Sequence, residues 1–542
     1  MCALQPGRIT ETIPRQIRGF LTNCVRIDTR TLAVFRMLLG ALIVADIFLR
    51  SRNFGFFYTE SGVVPQSLAE RYTVDTAVSI YYFTTDPVII AALFVLTALV
   101  GIQLLIGYRT RVASILAFFL VISLDHHNPL VLSFADTLFR MLLFWAIFLP
   151  LGERWSVDAV HRQRESRDSI ASVATALILI QVVFVYLSNA VHKAFSELWR
   201  SGEAATLVLG LDNITFLFGE TTRMVPRLLQ AGGFIWFVML SLSWLLFIFR
   251  GRVRALFALM FVGVHTSFAL TVRIGAFPYV SISGVILFLP AQFWTDAERV
   301  LEWLGVGPAR FSGPVSHLES IASRFPNPTL DDERLGRVGK VAYTGILAVI
   351  VISILLVVVV LLMNVGTITE DREEMDDRIE ETLQETTGVA QIELVATSLN
   401  IDQPGWSIFA PTPRTTDRYY VFPAEMQNGT VIDVYHDREL TFERPYDELQ
   451  KQFGTYRERF YMNSIRRAGS AGTAPEHLAE EICKRYSEEH GIELRQVSMY
   501  VVEEEVTWDT IDAPAERERD ASVLSRHSCD GSEVEQIAWP DI

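Results

Sequence analysis

A run of 20 residues without a single charged side chain, TGILAVIVISILLVVVVLLM at positions 344–363, most constrains the fold of this chain. Its length matches the roughly 20 apolar residues that a helix needs to cross a bilayer. Similar apolar stretches recur along the chain, and half of all residues are hydrophobic. We therefore predict an all-α polytopic membrane domain with nine spans, at about 31–49, 87–107, 112–131, 136–151, 170–191, 231–249, 253–274, 277–292 and 341–363.

Charge divides the chain into two parts. Residues 366–542 carry 17 basic and 38 acidic side chains, whereas residues 1–365 carry 30 basic and 24 acidic ones. Alternating and helical patterns predict an α+β domain over 366–512, with a strand at 391–399, followed by a loose polar C-terminus over 513–542. Such acidity is typical of adaptation to high salt and favours a halophilic, archaeal source, while an acidic binding face is the competing explanation.

Arginines predict the orientation in the membrane. They concentrate in alternate loops, including the N-terminal segment 1–30 and the connector 296–340, and such loops are normally cytoplasmic. We therefore predict a multi-pass protein of the cell membrane with a cytoplasmic N-terminus and an extracytoplasmic acidic domain. Cys483 and Cys529 both lie in the acidic part of the chain, 366–542, either bridged or as two free thiols. The sequons at Asn213 and Asn428 also fall on the predicted outer side.

Lysine is scarce in this chain, which has only four among its 47 basic residues. One of them, Lys193, lies at the polar end of the predicted fifth span, in QVVFVYLSNAVHK. An arginine cannot lose its proton in a protein, whereas a desolvated lysine can become a neutral base. Lys193 is therefore either a retained base or a side chain that extends to the membrane surface.

Several other ionisable side chains map to the outer half of the predicted spans. A charged or polar group is costly in hydrocarbon unless it faces a cavity or a partner, so we expect these groups to share one polar pocket that opens outward. A helix cap, a loop turn or an interhelical hydrogen bond is the structural alternative for each. No cysteine and histidine pattern predicts a metal site. The residues are Asp46, Asp125, His126, His127, Asp136, His192, Lys193 and, within the seventh span, His265.

Four blocks of sequence, in order over about residues 27–295, resemble the HTTM (horizontally transferred transmembrane) domain family, the membrane core shared with vitamin K-dependent gamma-carboxylase. A later segment, LNIDQPGWSIFAPTP, resembles the extracytoplasmic part that follows the last span in bacterial and archaeal members. The resemblance implies an HTTM-like membrane domain over 31–295 and a last helix at 341–363. The blocks are RIDTRTLAVFRMLLGALIVADIFLR, NPLVLSFADTLFRMLLFWAIFLPLGERWSVDA, HKAFSELWRSGEA and HTSFALTVRIGAFPYVSISGVILFLPAQFW.

The resemblance also implies a chemistry. In the carboxylase a lysine shortly before a tryptophan acts as base on a reduced naphthoquinone of the vitamin K or menaquinol type, and the matching residues are Lys193 and Trp199. Because the animal enzyme has a lysine pair where this chain has His192 and Lys193, either residue aligns with the base. His265 is carried over as a hydrogen-bonding group of the pocket. Residues expected to bind the quinone are Trp199, Asp46, Asp125, His126, His127 and Asp136.

The sequence is compatible with two functions. The first is an outward-facing carboxylase that uses a quinol, O2 and CO2 on a protein or peptide glutamate at the outer side of the bilayer. The alternative is a non-enzymatic quinone- or lipid-binding membrane protein whose acidic domain binds partners. Transport has less support, because the spans contain no paired interrupted helices or internal repeat. We expect no nucleic acid as partner.

Overall fold

The computed structural model describes residues 16–162, 164–326, 337, 339–352, 389–469 and 472–537. Helices dominate the first part of the chain, and a mixed region of helices and strands follows. The longer helices are α1 (Thr29–Ser51), α2 (Pro87–Ile106), α3 (Thr110–His127), α4 (Phe134–Ala146), α5 (Val173–Ala194), α6 (Pro226–Ser241), α7 (Gly251–Thr271), α8 (Phe277–Val285), α9 (Ala291–Trp303), α10 (Pro308–Ala322), α11 (Gly339–Ile352), α12 (Val389–Ser398), α13 (Tyr456–Ala468) and α14 (Thr473–His490).

Short helices connect these elements. A helix over 16–24 precedes α1, and the two-stranded ladder of β1 (Ile27–Asp28) and β2 (Ser169–Ile170) joins the start of α1 to the segment before α5. The short helices are Phe54–Phe57, Gln66–Arg71, Ile80–Phe83, Pro129–Val131, Val157–Val160, Glu197–Ser201, Glu203–Leu209, Gly219–Arg223, Leu245–Ile248, Ile286–Phe288, Leu449–Gln452 and Pro514–Glu516.

Among the described residues, four helices, α1, α2, α5 and α7, are long and apolar enough to cross a membrane, and the bent pair of α8 and α9 is a fifth if it counts as one span. The chain is thus a multi-pass membrane protein. The spans predicted at 112–131, 136–151 and 231–249 coincide with the helices α3, α4 and α6, which are shorter or more polar. The last predicted span begins in α11 and continues outside the described residues, so the count of nine stays a prediction.

The eighth predicted span, 277–292, differs from a straight helix. The chain turns by 104° between Phe277–Phe288 and Ala291–Trp303. Leu289 and Pro290 at the turn are both extended, with ψ of 118° and 171°. Proline lacks a backbone N–H and disfavours helical geometry in the residue before it, so the turn lies where the sequence places Pro290.

Local sequence explains how the first two membrane helices begin and pack. Asp86 accepts a hydrogen bond from the Val88 N–H at the start of α2, and Gly107 ends that helix at a φ of 74°. Between the two helices, a β-carbon on Gly40 would lie 2.6 Å from the Gly101 carbonyl oxygen. Only glycine allows the backbones to approach so closely, as is common where membrane helices pack.

The C-terminal part is built around a sheet with β7 (Leu494–Glu505) at its centre. One edge of β7 pairs with β3 (Thr416–Val421) and β4 (Pro423–Met426), and its other edge pairs with β8 (Arg519–Ser528), all antiparallel. Two shorter strands, β5 (Val431–Asp433) and β6 (Arg438–Glu439), extend the sheet beyond β4. We call residues 389–537 the outer domain.

Two expectations about the outer domain were wrong. The segment predicted as a strand at 391–399 is the helix α12, and the C-terminus predicted to be loose contributes β8, a central pairing partner of β7. Tertiary pairing explains the C-terminus, because a strand forms there where β7 supplies a partner for it. The acidic segment between α11 and α12 lies outside the described residues.

The fold decides whether Cys483 and Cys529 are bridged and which of the two sequons is exposed. Cys483 on α14 and Cys529 after β8 form a disulfide, so the bridged alternative is correct. Asn213 is 3% exposed, and its side-chain carbonyl accepts a hydrogen bond from Arg414. Asn428, by contrast, lies exposed in the turn between β4 and β5. Of the two sequons, only Asn428 is accessible in the folded protein.

Candidate functional site

A cavity of about 230 Å³ lies at the end of α5 where Lys193 stands, between α5, α6 and α7. Most of its lining is apolar, with a few polar side chains among the apolar ones. Three of them lie on α5 at positions 186, 189 and 193, a spacing that places them on one face of a helix. The polar lining consists chiefly of Tyr186, Asn189, Lys193, Trp199 and His265.

Lys193 is 1% exposed, and its amine has only neutral acceptors. The Nζ atom donates to the Ile408 carbonyl at 2.7 Å and lies 3.4 Å from the Phe409 carbonyl. It also stands 3.5 Å from the centre of the Trp199 ring, a cation–π distance. Among the described residues no carboxylate lies within ion-pair range of this amine, so the side chain is neither a surface anchor nor half of a salt bridge.

The carbonyl groups that contact Lys193 belong to residues 400–411, which we call the strap. Asn189 Nδ2 donates to the Trp406 carbonyl at 2.7 Å, and Trp199 Nε1 donates to the Phe409 carbonyl at 2.7 Å. Trp406 and Phe409 have φ of 49° and 51°, a strained geometry for residues other than glycine. The outer domain thus closes one end of the cavity with a segment whose backbone conformation is held by its contacts with α5.

His265 lies deeper in the same cavity. It is fully buried on α7, its Nε2 lies 2.9 Å from the Tyr186 hydroxyl, and its Nδ1 has no partner in the described part of the chain. The rings of Trp236 and Phe268 surround it at centroid distances of 5.5 and 5.9 Å. A buried nitrogen without a partner is uncommon, and here it lines a cavity. A ligand with a hydroxyl or carbonyl group can satisfy it.

The structure does not bring the predicted acidic residues into this cavity. Asp125 pairs with Arg50 at 2.6 Å and with Arg140 at 2.5 Å, while Arg457 of the outer domain contacts both Asp46 and Asp136 at 2.7 Å. We call these six residues the charge cluster. The shared pocket expected from sequence is therefore split in two, because arginines from three helices meet the carboxylates away from Lys193.

The remaining histidines also lie apart from the cavity. His126 and His127 are buried on α3, where they bond the carbonyls of Val78 and Tyr58 at 3.1 and 3.2 Å. His127 also stacks on Tyr81, with ring centres 4.8 Å apart. His192 is partly exposed and follows a different face of α5 from Lys193, so of the two neighbours Lys193 alone lines the cavity.

Sequence reasoning missed Tyr186, Asn189 and the contact between the strap and Lys193. The spacing of 186, 189 and 193 was available as a signal, since residues three, four and seven apart share a helix face. The strap lies in the segment LNIDQPGWSIFAPTP that the family resemblance singled out, but its contact with Lys193 left no signal, because the strap acts through backbone carbonyls about 215 residues away along the chain.

Comparisons with known proteins add one match. The family model described as the HTTM domain matches residues 25–294, a stretch that contains every membrane helix lining the cavity. No curated protein and no solved structure matches the chain.

Proposed function

We propose, from the premise that this chain belongs to the HTTM domain family over residues 25–294, that it is a quinol-dependent membrane carboxylase in which Lys193 is the base. HTTM domains occur in vitamin K-dependent carboxylase-like membrane proteins. The observation that carries the proposal is the buried Lys193 amine, held by two backbone carbonyls and an aromatic ring at the wall of an apolar cavity.

The cavity suits an aromatic head group with polar oxygens. Its volume of about 230 Å³ exceeds the roughly 150 Å³ of an engineered apolar cavity that admits benzene. The unpartnered His265 Nδ1 and the Lys193 amine give it polar groups that can contact ring oxygens. When bound, a reduced naphthoquinone would supply the reducing power that converts O2 into a base strong enough to deprotonate a glutamate side chain at its γ-carbon.

The residues of this chain would orient the ring and move one proton. A neutral amine keeps two N–H groups, so Lys193 can bond both strap carbonyls in either protonation state and its position does not depend on its charge. His265 and Tyr186 form a hydrogen-bonded pair that can face the second ring oxygen. The surrounding aromatic side chains exclude water from the cavity.

The direct test is oxygen consumption by the purified full-length protein in lipid nanodiscs, with a reduced naphthoquinone added. We expect consumption that depends on the quinol, and incorporation of labelled CO2 into a glutamate-containing peptide. Saturable quinone binding without any oxygen consumption would support the non-enzymatic alternative and contradict the carboxylase. Absence of both binding and consumption would contradict both.

Access to the cavity gives a second test. Leu228 and Gly232 of α6 line the cavity and are exposed on the outside of the helix bundle, so the cavity reaches the surface there. No atom lies within 4 Å of the place where a Gly232 side chain would begin. Gly232→Leu should therefore fold, narrow this opening and raise the quinone Kd about tenfold, or about 1.4 kcal/mol.

Gly263 provides the matched control for this variant. It is an exposed glycine of α7 with equally open surroundings, and it does not line the cavity. Gly263→Leu adds the same side chain to a neighbouring helix, so its quinone Kd should match that of the parent. Equal Kd values for both variants would mean that the ligand does not pass or occupy this opening.

We also propose that the outer domain is extracytoplasmic. Its disulfide between Cys483 and Cys529 supports this orientation, because disulfides persist in oxidising compartments. Gln427 is exposed in the turn between β4 and β5, so Gln427→Cys should react with a membrane-impermeant maleimide in intact cells. The parent chain is the control, since its described free thiol, Cys24, is buried. Labelling only after lysis would reverse the proposed orientation.

A further inference from the structure

A second cavity, of about 190 Å³, lies where the outer domain meets the membrane helices. It is bounded by the start of α4, the strap and α13. Arg459 of α13 lines it and is only 7% exposed. Within the described part of the chain its guanidinium makes no hydrogen bond or ion pair, and its Nε is buried without a partner. Its one contact of note is the adjacent Phe460 ring, 4.7 Å from the guanidinium carbon.

Two other buried arginines are paired. Arg140 and Arg517 are equally buried, and each donates hydrogen bonds to a carboxylate. Arg254 resembles Arg459 in having buried guanidinium nitrogens without a partner among the described residues, but it does not line this cavity. A buried charge without a counter-charge is destabilising, because it loses hydration and gains nothing in return. The guanidinium of Arg459 therefore has unused donors in a cavity with space for an acceptor.

The electrostatics around Arg459 favour an anion. Burial is the largest cause that lowers the pKa of Arg459, and the positive charges of Arg414 and Arg273 lower it further. Arg414 donates to an amide and Arg273 to the backbone carbonyls of Gln450, Phe453 and Gly454, and neither forms an ion pair with a carboxylate in the described part of the chain. Asp417 acts on Arg414 and Glu458 acts on Arg273 only at longer range.

We propose that this cavity binds a small carboxylate-type oxyanion through the Arg459 guanidinium. A guanidinium presents paired N–H donors that match the two oxygens of such an anion. The Ser407 hydroxyl of the strap also lines the cavity and can donate to it. Phe134, Phe277 and Phe460 form apolar walls, which strengthen a charge-assisted hydrogen bond by excluding water.

The site lies beside the Lys193 cavity without being part of it. Ile274, Phe277, Ile408 and Phe409 line both cavities, so a single layer of side chains separates them. The binding of an anion at Arg459 does not require that Lys193 act as a base. Bicarbonate and the carboxylate of an acidic side chain share the required chemistry, and separate probes distinguish these two sources.

The test is the thermal midpoint of the full-length protein in nanodiscs, titrated with sodium bicarbonate, sodium acetate or N-acetylglutamate α-amide at constant ionic strength set by chloride. We expect the midpoint of the parent to rise progressively with at least one of these anions. A rise of the midpoint with bicarbonate alone would identify the inorganic source. A rise with the glutamate derivative at a lower concentration than with the other two anions would identify a side-chain carboxylate. No rise with any of them, or a rise with sulfate alone, would overturn the proposal.

Two variants separate this site from general salt effects. Arg459→Met should abolish the rise and should have a higher midpoint than the parent in anion-free buffer, since it removes an unpaired buried charge. Arg459→Gln, which keeps a polar side chain, should likewise lose the response if the methionine variant does not fold. Arg466→Met, on the same helix but outside the cavity, should respond as the parent does. Equal responses from parent and Arg459 variants would refute the site.

Discussion

Lys193→Arg is expected to lower quinol-dependent oxygen consumption by about 10²- to 10⁴-fold, the usual contribution of a positioned general base. Arginine keeps the hydrogen-bond donors, and the two strap carbonyls and the Trp199 ring can interact with its charge, so the buried end of α5 should stay folded. It cannot become neutral at any pH at which the protein is folded, and so it cannot accept a proton. The measurement is the initial rate of oxygen consumption in nanodiscs at saturating quinol.

Lys340→Arg is the matched control for this substitution, because Lys340 is exposed on α11 and does not line the cavity. Its rate should equal that of the parent. Quinone binding by Lys193→Arg should change much less than the rate, since binding depends mainly on the apolar lining. A Lys193→Arg protein that binds quinone and consumes oxygen like the parent would show that Lys193 is a structural donor to the strap.

Arg457→Met is expected to destabilise the protein by about 3–5 kcal/mol, the typical cost of removing one partner from a buried ion pair. Arg457 NH2 contacts Asp46 and Asp136 at 2.7 Å each, and its NH1 donates to the Val131 carbonyl at 3.1 Å. Without it, two carboxylates from different membrane helices lose their shared cation. Arg50 also contacts both of them, and it compensates only in part because it already pairs with Asp125.

The measurement is the loss of thermal stability in nanodiscs, followed by size-exclusion chromatography and intrinsic fluorescence. Arg467→Met is the control, because Arg467 is exposed on the same helix. Adding Asp136→Asn to Arg457→Met removes one of the unpaired charges and should recover part of the loss. If both arginine variants have the parent's stability, the charge cluster does not hold the outer domain on the membrane helices.

Much of the membrane part was predictable because hydropathy and helix spacing are local properties. Within the described residues the apolar runs correspond to helices, and Pro290 marks the position at which the eighth run bends. Lys193 and Trp199, which the family resemblance placed in one motif, lie in contact because a single turn separates the end of α5 from the short helix Glu197–Ser201.

The grouping of the ionisable residues was not predictable, since the depth of a residue in the membrane does not say which way its side chain points. Asp136 pairs with Arg457, 321 residues further along the chain, and Arg140 bonds Asn400, 260 residues away. Arg36, which is fully buried on α1, donates to backbone carbonyls of other segments, among them that of Trp155 at 2.6 Å. A buried arginine donates to whichever hydrogen-bond acceptors lie near it once the helices have packed.

The sequence alone therefore determined that this chain is a helical membrane protein of the HTTM family with a separate acidic part, because composition, periodicity and motif order are properties of contiguous residues. The tertiary structure decided which groups face Lys193. The strap supplies backbone carbonyls rather than carboxylates, and every residue type has a backbone carbonyl, so no pattern of side chains could reveal it. In the folded protein the carboxylates of the charge cluster pair with arginines, and Lys193 has only neutral partners in an apolar cavity.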